Sequence, residues 1–137
     1  MKDSIAVMIK VLGEEFDKLS NRVLNQYDLT ASQFKVLKFI MLKPEFSVRQ
    51  IDIENYFSMS NPTVTGIIQN LEKKGLIERV ENPEDKRSKV MRVTDKTRDM
   101  EEELLQIGSE LEDMFTQKLT AEEKYILKTI LKKMAAG

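Results

Sequence analysis

One segment, residues 61–74, constrains the fold most strongly, because both of its ends carry residues that start or stop a helix. Asn61 suits the N-cap position, and Pro62, which has no amide hydrogen to leave unpaired, suits the first helical position. Gly75 suits the left-handed residue that follows a helix. The sequence therefore predicts a helix that begins after Asn61 and ends at Lys74.

Two short strand-like runs follow that helix, at residues 76–80 and 90–93, and they predict a β-hairpin. Its turn carries Asp85, Lys86, Arg87 and Lys89. The whole chain has a net charge of -1, but residues 85–98 contain six basic and two acidic side chains, and acids are concentrated in residues 99–113. A local basic hairpin beside a helix is typical of proteins that hold nucleic acid.

Two helices are predicted before this segment. The first fills most of residues 1–25, where apolar residues recur at helical spacing: Ile5, Met8, Leu12, Phe16, Leu19 and Val23. The second begins at a capping box formed by Thr30 and Gln33 and stops before Pro44. Its apolar stripe consists of Phe34, Leu37, Ile40 and Met41.

A third, shorter helix is predicted to open at a second capping pair, Ser47 with Gln50, and to run through Phe57. Its buried side is predicted to include Val48, Ile53, and Tyr56 or Phe57. Residues 58–60 are too few for anything but a turn, so this helix and the one that follows Asn61 are close neighbours.

Helices also follow the hairpin. Thr94 is predicted to cap one long helix with a heptad-like apolar seam made of Met100, Leu104, Ile107, Leu111 and Met114. Thr120 and Glu123 form a further capping box, which opens a last helix. That helix carries Leu127, Ile130, Leu131 and Met134.

Two short helices joined by a three- or four-residue turn predict a helix-turn-helix, whose second helix enters the major groove of DNA. Its apolar residues, Val64, Ile67, Ile68 and Leu71, share one side. The other side is short in charge and carries Pro62, Thr65, Gly66, Gln69, Asn70 and Lys73. Short donors and acceptors permit close approach to base edges, and Gln69 or Asn70 is predicted to pair with adenine.

Arg87 is the predicted minor-groove residue of the hairpin, because negative potential in that groove attracts arginine. Asp85 is predicted to hold its guanidinium through an ion pair. Predicted phosphate contacts, which position a protein without reading sequence, are Lys86, Lys89, Lys73, Lys74 and Arg49.

The chain contains no Cys and no His, which removes disulfides, Cys or His zinc sites, thiol switches and histidine acid-base chemistry. We therefore expect no catalytic residues, no metal and no cofactor. No apolar run approaches the roughly 18 residues of a membrane span, so we expect no membrane association and a cytoplasmic protein.

Three motifs, in this order and spacing, closely resemble the MarR family of bacterial winged helix-turn-helix transcriptional regulators. They are Ser-Asn-Pro-Thr-Val-Thr-Gly at 60–66, Leu-Glu-Lys-Lys-Gly-Leu-Ile-Glu-Arg at 71–79, and Asp-Lys-Arg-Ser-Lys at 85–89, followed by Val93-Thr94. Three positions depart from the family pattern: Ser58 and Thr97 stand where Gly is frequent, and Glu54 stands where Ala is frequent.

The resemblance implies a mainly α fold with a small β-hairpin: a winged helix-turn-helix domain plus N- and C-terminal dimerisation helices. It places the DNA-binding region at residues 29–98 and the dimerisation region at residues 1–28 and 99–137. It implies a homodimer that binds double-stranded DNA at a pseudo-palindromic operator and represses transcription. The heptad-like seam is taken as independent support for the dimer. DNA-binding residues are then assigned as Arg49, Ser60, Asn61, Thr63, Thr65, Gly66, Gln69, Asn70, Lys73, Lys74, Asp85, Lys86, Arg87 and Lys89.

The resemblance also implies a small aromatic or anionic effector between the dimer helices and the winged domain. No effector-binding residue is assigned, because Phe16, Met41 and Met100 are spaced as ordinary core residues. The alternative function is a winged-helix module that binds a partner protein without DNA. An enzyme has no support beyond acidic residues at 101–103, which are typical of a solvated helix face.

Overall fold

The structure, a computed structural model, describes residues 4–136. In chain order its elements are α1 (Ile5–Leu24), a short 3-10 helix (Asn25–Tyr27), α2 (Ala31–Leu42), α3 (Gln50–Phe57), α4 (Asn61–Lys73), β1 (Ile77–Asn82), β2 (Asp85–Val93), α5 (Asp95–Asp99), α6 (Glu101–Phe115) and α7 (Ala121–Ala135). The two strands form one antiparallel hairpin. The mainly helical fold with a small hairpin is confirmed.

The predicted start of α2 is confirmed in detail. The Thr30 hydroxyl accepts a hydrogen bond from the Gln33 amide at 3.1 Å, and the Gln33 side chain accepts one from the Thr30 amide at 3.3 Å. The same reciprocal cap joins Thr120 and Glu123 at the start of α7, at 3.1 and 2.9 Å. These caps satisfy amides that have no partner inside the helix.

The predicted Ser47–Gln50 cap of α3 is wrong. Ser47 instead donates its hydroxyl to the carbonyl of Pro44 at 2.6 Å, and the Arg49 amide donates to the Asp52 carboxylate at 2.8 Å. The reason lies outside the helix: the Met91 amide donates to the Val48 carbonyl at 2.8 Å and forms a β-bridge. This bridge holds the backbone extended, so the helix starts only at Gln50.

The N-cap of α4 is Ser60 rather than the predicted Asn61. The Ser60 hydroxyl accepts a hydrogen bond from the Thr63 amide at 3.3 Å, which places Asn61 inside the first turn. Gly75 has φ of +71°, so the predicted left-handed stop is confirmed. The predicted apolar side of α4 is confirmed as well, since its four residues are buried: Val64, Ile67, Ile68 and Leu71.

Both strands are longer than the sequence predicts. The predicted turn, residues 81–89, shrinks to Pro83 and Glu84, and the register breaks between the pairs Glu81↔Lys89 and Asn82↔Asp85. The Asn82 side chain closes the turn by accepting a hydrogen bond from the Glu84 amide at 3.0 Å. Much of the basic segment therefore lies within β2.

The single long helix predicted after Thr94 is two helices, because Met100 interrupts it with φ of -99° and ψ of 2°. Thr97, which is fully buried, donates its hydroxyl to the Leu76 carbonyl at 2.6 Å and ties α5 to the base of the hairpin. The apolar side of α6 instead packs into the core against α1 and α2. Because α5 is tied to the hairpin and α6 to these helices, the two segments point in different directions and the helix is interrupted at Met100.

The heptad-like seam is not a free dimer stripe, and its interpretation as independent support for a dimer is wrong. Leu104, Ile107 and Leu111 are buried in the core of this single chain. Met100 packs half-buried against the same core, and Met114 is exposed.

The described part of α7 has no buried residue, in contrast to every other long helix. Its Lys124 ammonium contacts Asp113 at 2.7 Å and Glu112 at 3.8 Å on α6. The hydrogen bond to Asp113 raises the pKa of Lys124 above its usual value. Across residues 4–136, no helix combines the length and the apolar character needed to traverse a bilayer.

Candidate nucleic-acid interface

The outward side of α4 presents the polar groups that the sequence predicts. Asn61, Thr63, Gln69, Asn70 and Lys73 are exposed. Thr65 and Gly66 are half-buried, and the exposed Ser60 precedes the helix as its cap. One helix face therefore brings eight of the predicted residues together, and it offers donors and acceptors with a single basic side chain.

Two side chains of α3 hold this face from behind. Gln50 donates its Nε2 to the Thr65 hydroxyl oxygen at 2.9 Å, and the Asn61 Nδ2 donates to the Glu54 carboxylate at 3.0 Å. Sequence reasoning missed Gln50 as part of the site, since its spacing from Ser47 imitates a capping pair. Glu54 stood out only as a departure from the family pattern.

At the hairpin tip, the predicted Asp85–Arg87 pair is confirmed. The Arg87 Nε lies 3.1 Å from the Asp85 carboxylate, and the same carboxylate oxygen accepts a hydrogen bond from the Arg87 amide at 3.1 Å. The Arg87 side chain remains 92% exposed. The carboxylate therefore orients the guanidinium by one edge and leaves its two terminal nitrogens accessible.

Two further residues, neither of them predicted as a site residue, shape the tip. Ser88 donates its hydroxyl to the Asp85 carbonyl at 3.2 Å and accepts from the Asn82 Nδ2 at 3.2 Å. Asn82 thus closes the turn with its carbonyl and braces β2 with its amide. Only the folded register brings these residues together.

The six basic residues of the segment 85–98 do not form one surface. Lys86, Arg87 and Lys89 are exposed at the tip. The other three are engaged in the chain: Arg92 lies 3.4 Å from Glu45 and from Glu78, Lys96 donates to the Lys74 carbonyl at 3.0 Å, and Arg98 donates to Glu101 at 2.7 Å. Within residues 85–98, the positive charge available to a ligand therefore lies mainly at the tip.

Among the predicted phosphate contacts, the two neighbouring lysines at the end of α4 differ. Lys73 is exposed, whereas the Lys74 ammonium donates to the Gln33 side chain at 2.8 Å and to the carbonyl of Asp28. Lys74 joins the end of α4 to the start of α2. Arg49 is exposed and lies 3.5 Å from Asp52.

The hairpin is fixed to the helices rather than projecting freely. Val90, Met91 and Val93 are buried, and the Val48–Met91 bridge attaches β2 to the segment before α3. The guanidinium of Arg92 lies 5.6 Å from the ring centre of Phe46 in that segment. The tip and α4 are thus parts of one supported surface.

A separate cleft of about 740 Å³ lies between α1, α2, α6 and α7. On one side, the rings of Phe16 and Phe115 pack edge to face with their centres 5.0 Å apart. On another side, the ring centre of Phe39 lies 4.8 Å from that of Tyr56 and 5.6 Å from that of Phe57. The charged lining residues are five lysines and two acids: Lys35, Lys38, Lys43, Lys124, Lys128, Asp17 and Glu112. Of the three residues considered earlier for an effector, Phe16 lines the cleft, Met41 is buried in the core, and Met100 packs half-buried against the core.

The chain matches the family model described as "MarR family" over residues 29–89. It is 30% identical to the multiple antibiotic resistance protein MarR of Escherichia coli (strain K12), over 93% of this chain and 88% of that protein. The crystal structure of the reduced form of E. coli MarR superposes with a TM-score of 0.82 at 30% identity, covering 99% of both chains. A crystal structure of a mutant E. coli MarR complexed with operator DNA superposes with a TM-score of 0.79 at 30% identity, covering 96% of this chain and 94% of that chain.

Proposed function

We propose that this chain, which belongs to the MarR family, acts as a homodimeric repressor on a pseudo-palindromic operator. It is a DNA-binding transcriptional regulator rather than an enzyme. The observation that carries the proposal is the supported surface on which a polar, charge-poor helix stands beside an arginine-tipped hairpin. The DNA-binding region is residues 29–98, the dimerisation region is residues 1–28 and 99–137, and the protein acts in the cytoplasm.

In the proposed complex, α4 lies in the major groove. Gln69 and Asn70 read base edges, because an amide side chain offers a donor and an acceptor that match adenine. Thr63, Thr65 and Gly66 allow the helix to approach closely, and Lys73 contacts a phosphate. Short side chains suit those three close-approach positions, since a bulky side chain there would hold the helix away from the groove.

The hairpin acts as the wing. Its Arg87 enters the minor groove, oriented by Asp85, while Lys86 and Lys89 contact the phosphates that flank that groove. Arg49 contacts a phosphate from the start of α3. Lys74 supports the site from within, through its bonds to Gln33 and Asp28.

The proposed dimer is supported by the apolar surface of the terminal helices. Large apolar side chains of α1 are exposed: Ile5, Val7, Met8, Ile9 and Leu12. Those of α7 are exposed as well: Ile126, Leu127, Ile130, Leu131 and Met134. An extensive exposed apolar surface of this kind marks an interaction site, and a second copy would cover it.

The experiment that tests the function is selection of bound duplexes from a random pool, followed by titration of the selected duplex at increasing salt. We expect an inverted repeat whose half-sites are about 34 Å apart or a multiple of it. We also expect log affinity to fall linearly with log salt as counterions are released. Absence of salt-dependent duplex binding would contradict the proposal and favour the protein-partner alternative.

We also propose that a small aromatic anion binds in the cleft and favours a dimer arrangement that does not fit the operator. The aromatic rings on its walls and the excess of lysines support this ligand class. A ligand shifts such an equilibrium only by its differential affinity for the two arrangements.

Benzoate is a suitable probe of this proposal. It should weaken operator binding. Lys38→Met should reduce that response and leave the operator affinity measured without benzoate unchanged. Equal operator affinity with and without benzoate would contradict the effector proposal alone.

A further inference from the structure

We infer that Gln50 and Glu54 are positioning residues for base recognition: from α3, they set which hydrogen-bonding groups α4 offers to DNA. This inference rests on the proposed function of α4. It assigns a role in specificity to two side chains on the helix behind the one that reads the bases.

The geometry consists of two matched contacts between the helices. Gln50 and Glu54 are four residues apart on α3, and Asn61 and Thr65 are four residues apart on α4, so each pair shares one helix face. The bonds Gln50–Thr65 at 2.9 Å and Asn61–Glu54 at 3.0 Å therefore form two successive cross-links between the facing helices.

Each cross-link determines the polarity of the group that remains for a ligand. Gln50 donates to the Thr65 oxygen, so the Thr65 hydroxyl hydrogen is directed to another acceptor. The Glu54 carboxylate accepts one of the two Asn61 amide hydrogens, so it sets which way the Asn61 side chain faces and leaves the carbonyl oxygen and the second amide hydrogen for a ligand. Thr65 is thus presented as a donor, suited to guanine N7 or O6 or to thymine O4, and Asn61 is held in one orientation, with its carbonyl oxygen suited to an exocyclic amino group.

The presence of Glu54 itself points to this role. A carboxylate in the DNA-binding half of the protein opposes the approach of phosphates, and its hydrogen bond to Asn61 does not close a buried core, since Asn61 is exposed. Orientation of the Asn61 amide accounts for a side chain that otherwise weakens DNA binding.

The test measures binding to every single-base variant of the selected operator, with the wild type and with Gln50→Met, which keeps the side-chain length but cannot donate. We expect Gln50→Met to reduce discrimination about fivefold at one or two base pairs of each half-site, with little change on random duplex. Thr65→Val should affect the same base pairs, and the double variant Gln50→Met, Thr65→Val should be no worse than either single variant.

Glu54 supplies the second arm. Glu54→Gln keeps an acceptor for Asn61, so it should retain the base preference while raising affinity for all duplexes; Glu54→Met should lose the preference at the base pairs affected by Asn61→Ala. Thermal unfolding of each variant, followed by circular dichroism, establishes that it is folded at the assay temperature.

Two outcomes contradict the inference and differ from each other. If the wild type discriminates among duplexes and Gln50→Met and Glu54→Met keep its profile unchanged, the positioning role is wrong and the proposed function stands. If the wild type shows no preference among duplexes, the proposed function fails and the inference fails with it.

Discussion

The winged helix-turn-helix and the terminal helices of this chain differ in how they use their apolar residues. In the first region the apolar side of α4 is buried, with Val64, Ile68 and Leu71 inaccessible to solvent. In the second, α7 carries Ile130, Leu131 and Met134 with 45–60% of each residue exposed. The first region completes its core within one chain, whereas the second leaves apolar side chains exposed, and in the proposed dimer a second copy covers them.

This difference separates two physical tasks. Burial within the chain fixes the relative positions of α3, α4 and the wing, and it does so without a partner. In the proposed dimer, exposure on α1 and α7 makes the spacing between two such units a property of their association. Variants directed at each region should therefore affect different measurements.

The largest effect is expected from Leu71→Ala in the buried side of α4. Removing a fully buried leucine side chain leaves a cavity in the core and should lower the free energy of unfolding by about 2–5 kcal/mol. Chemical denaturation followed by circular dichroism measures this change. Leu131→Ala, at an exposed site of α7, is the matched control, and an equal loss in both variants at a concentration where the chain is monomeric would remove the distinction between the regions.

The next effect is expected from Ile130→Lys on α7. A charge in the proposed dimer surface should yield a folded monomer, and operator affinity should fall about 100-fold because two linked half-site contacts become independent. Light scattering gives the mass, and fluorescence anisotropy gives the affinity. Lys132→Glu also changes charge on α7, on the side away from Ile130, and should leave the mass unchanged; a dimeric Ile130→Lys protein would show that α7 is not in the interface.

Arg87→Ala should have a smaller effect, confined to DNA binding. Loss of one charged hydrogen-bonding group corresponds to about 1.5 kcal/mol, or about tenfold in affinity. The loss should be greatest at operators with a narrow minor groove, while the dimer mass stays constant. Lys118→Ala removes one positive charge outside the wing and serves as the control, and unchanged binding by Arg87→Ala would exclude the wing from the interface.

The smallest effect is expected from Ser58→Gly in the turn between α3 and α4. Ser58 has φ of 52°, in the left-handed region, where glycine is less strained than other residues. The substitution relieves about 1–2 kcal/mol of left-handed strain and costs about 0.5–1 kcal/mol of backbone entropy, so it should stabilise the winged helix-turn-helix by about 0.5–1 kcal/mol. Thermal unfolding measures the change in stability. Gly75→Ala, at φ of +71°, is the opposite substitution and should destabilise the same region. A lower stability of Ser58→Gly would show that contacts of the serine side chain contribute more than the backbone strain costs.

Local signals in the sequence determined most elements of the fold and the identity of the candidate interface. The Thr30–Gln33 and Thr120–Glu123 caps, the Gly75 stop and the apolar side of α4 depend on residues within one or two helical turns of one another. Asp85 and Arg87 are two residues apart, so their pairing could also be predicted from the sequence. Such contacts form wherever the chain is locally helical or turning, and for this reason their spacing was sufficient to predict them.

Tertiary structure decided the features that join distant parts of the chain. Because of the bridge between Val48 and Met91, α3 starts at Gln50 and not earlier. The hydrogen bond from Thr97 to Leu76 ties α5 to the hairpin, so α5 and α6 are separate helices. The apolar seam of α6 packs against α1 and α2 inside the core. The Gln50–Thr65 and Glu54–Asn61 hydrogen bonds could not be predicted from the sequence for the same reason, because each needs a defined crossing of two helices. Spacing along a chain specifies which side chains share a face, but only packing specifies what that face meets.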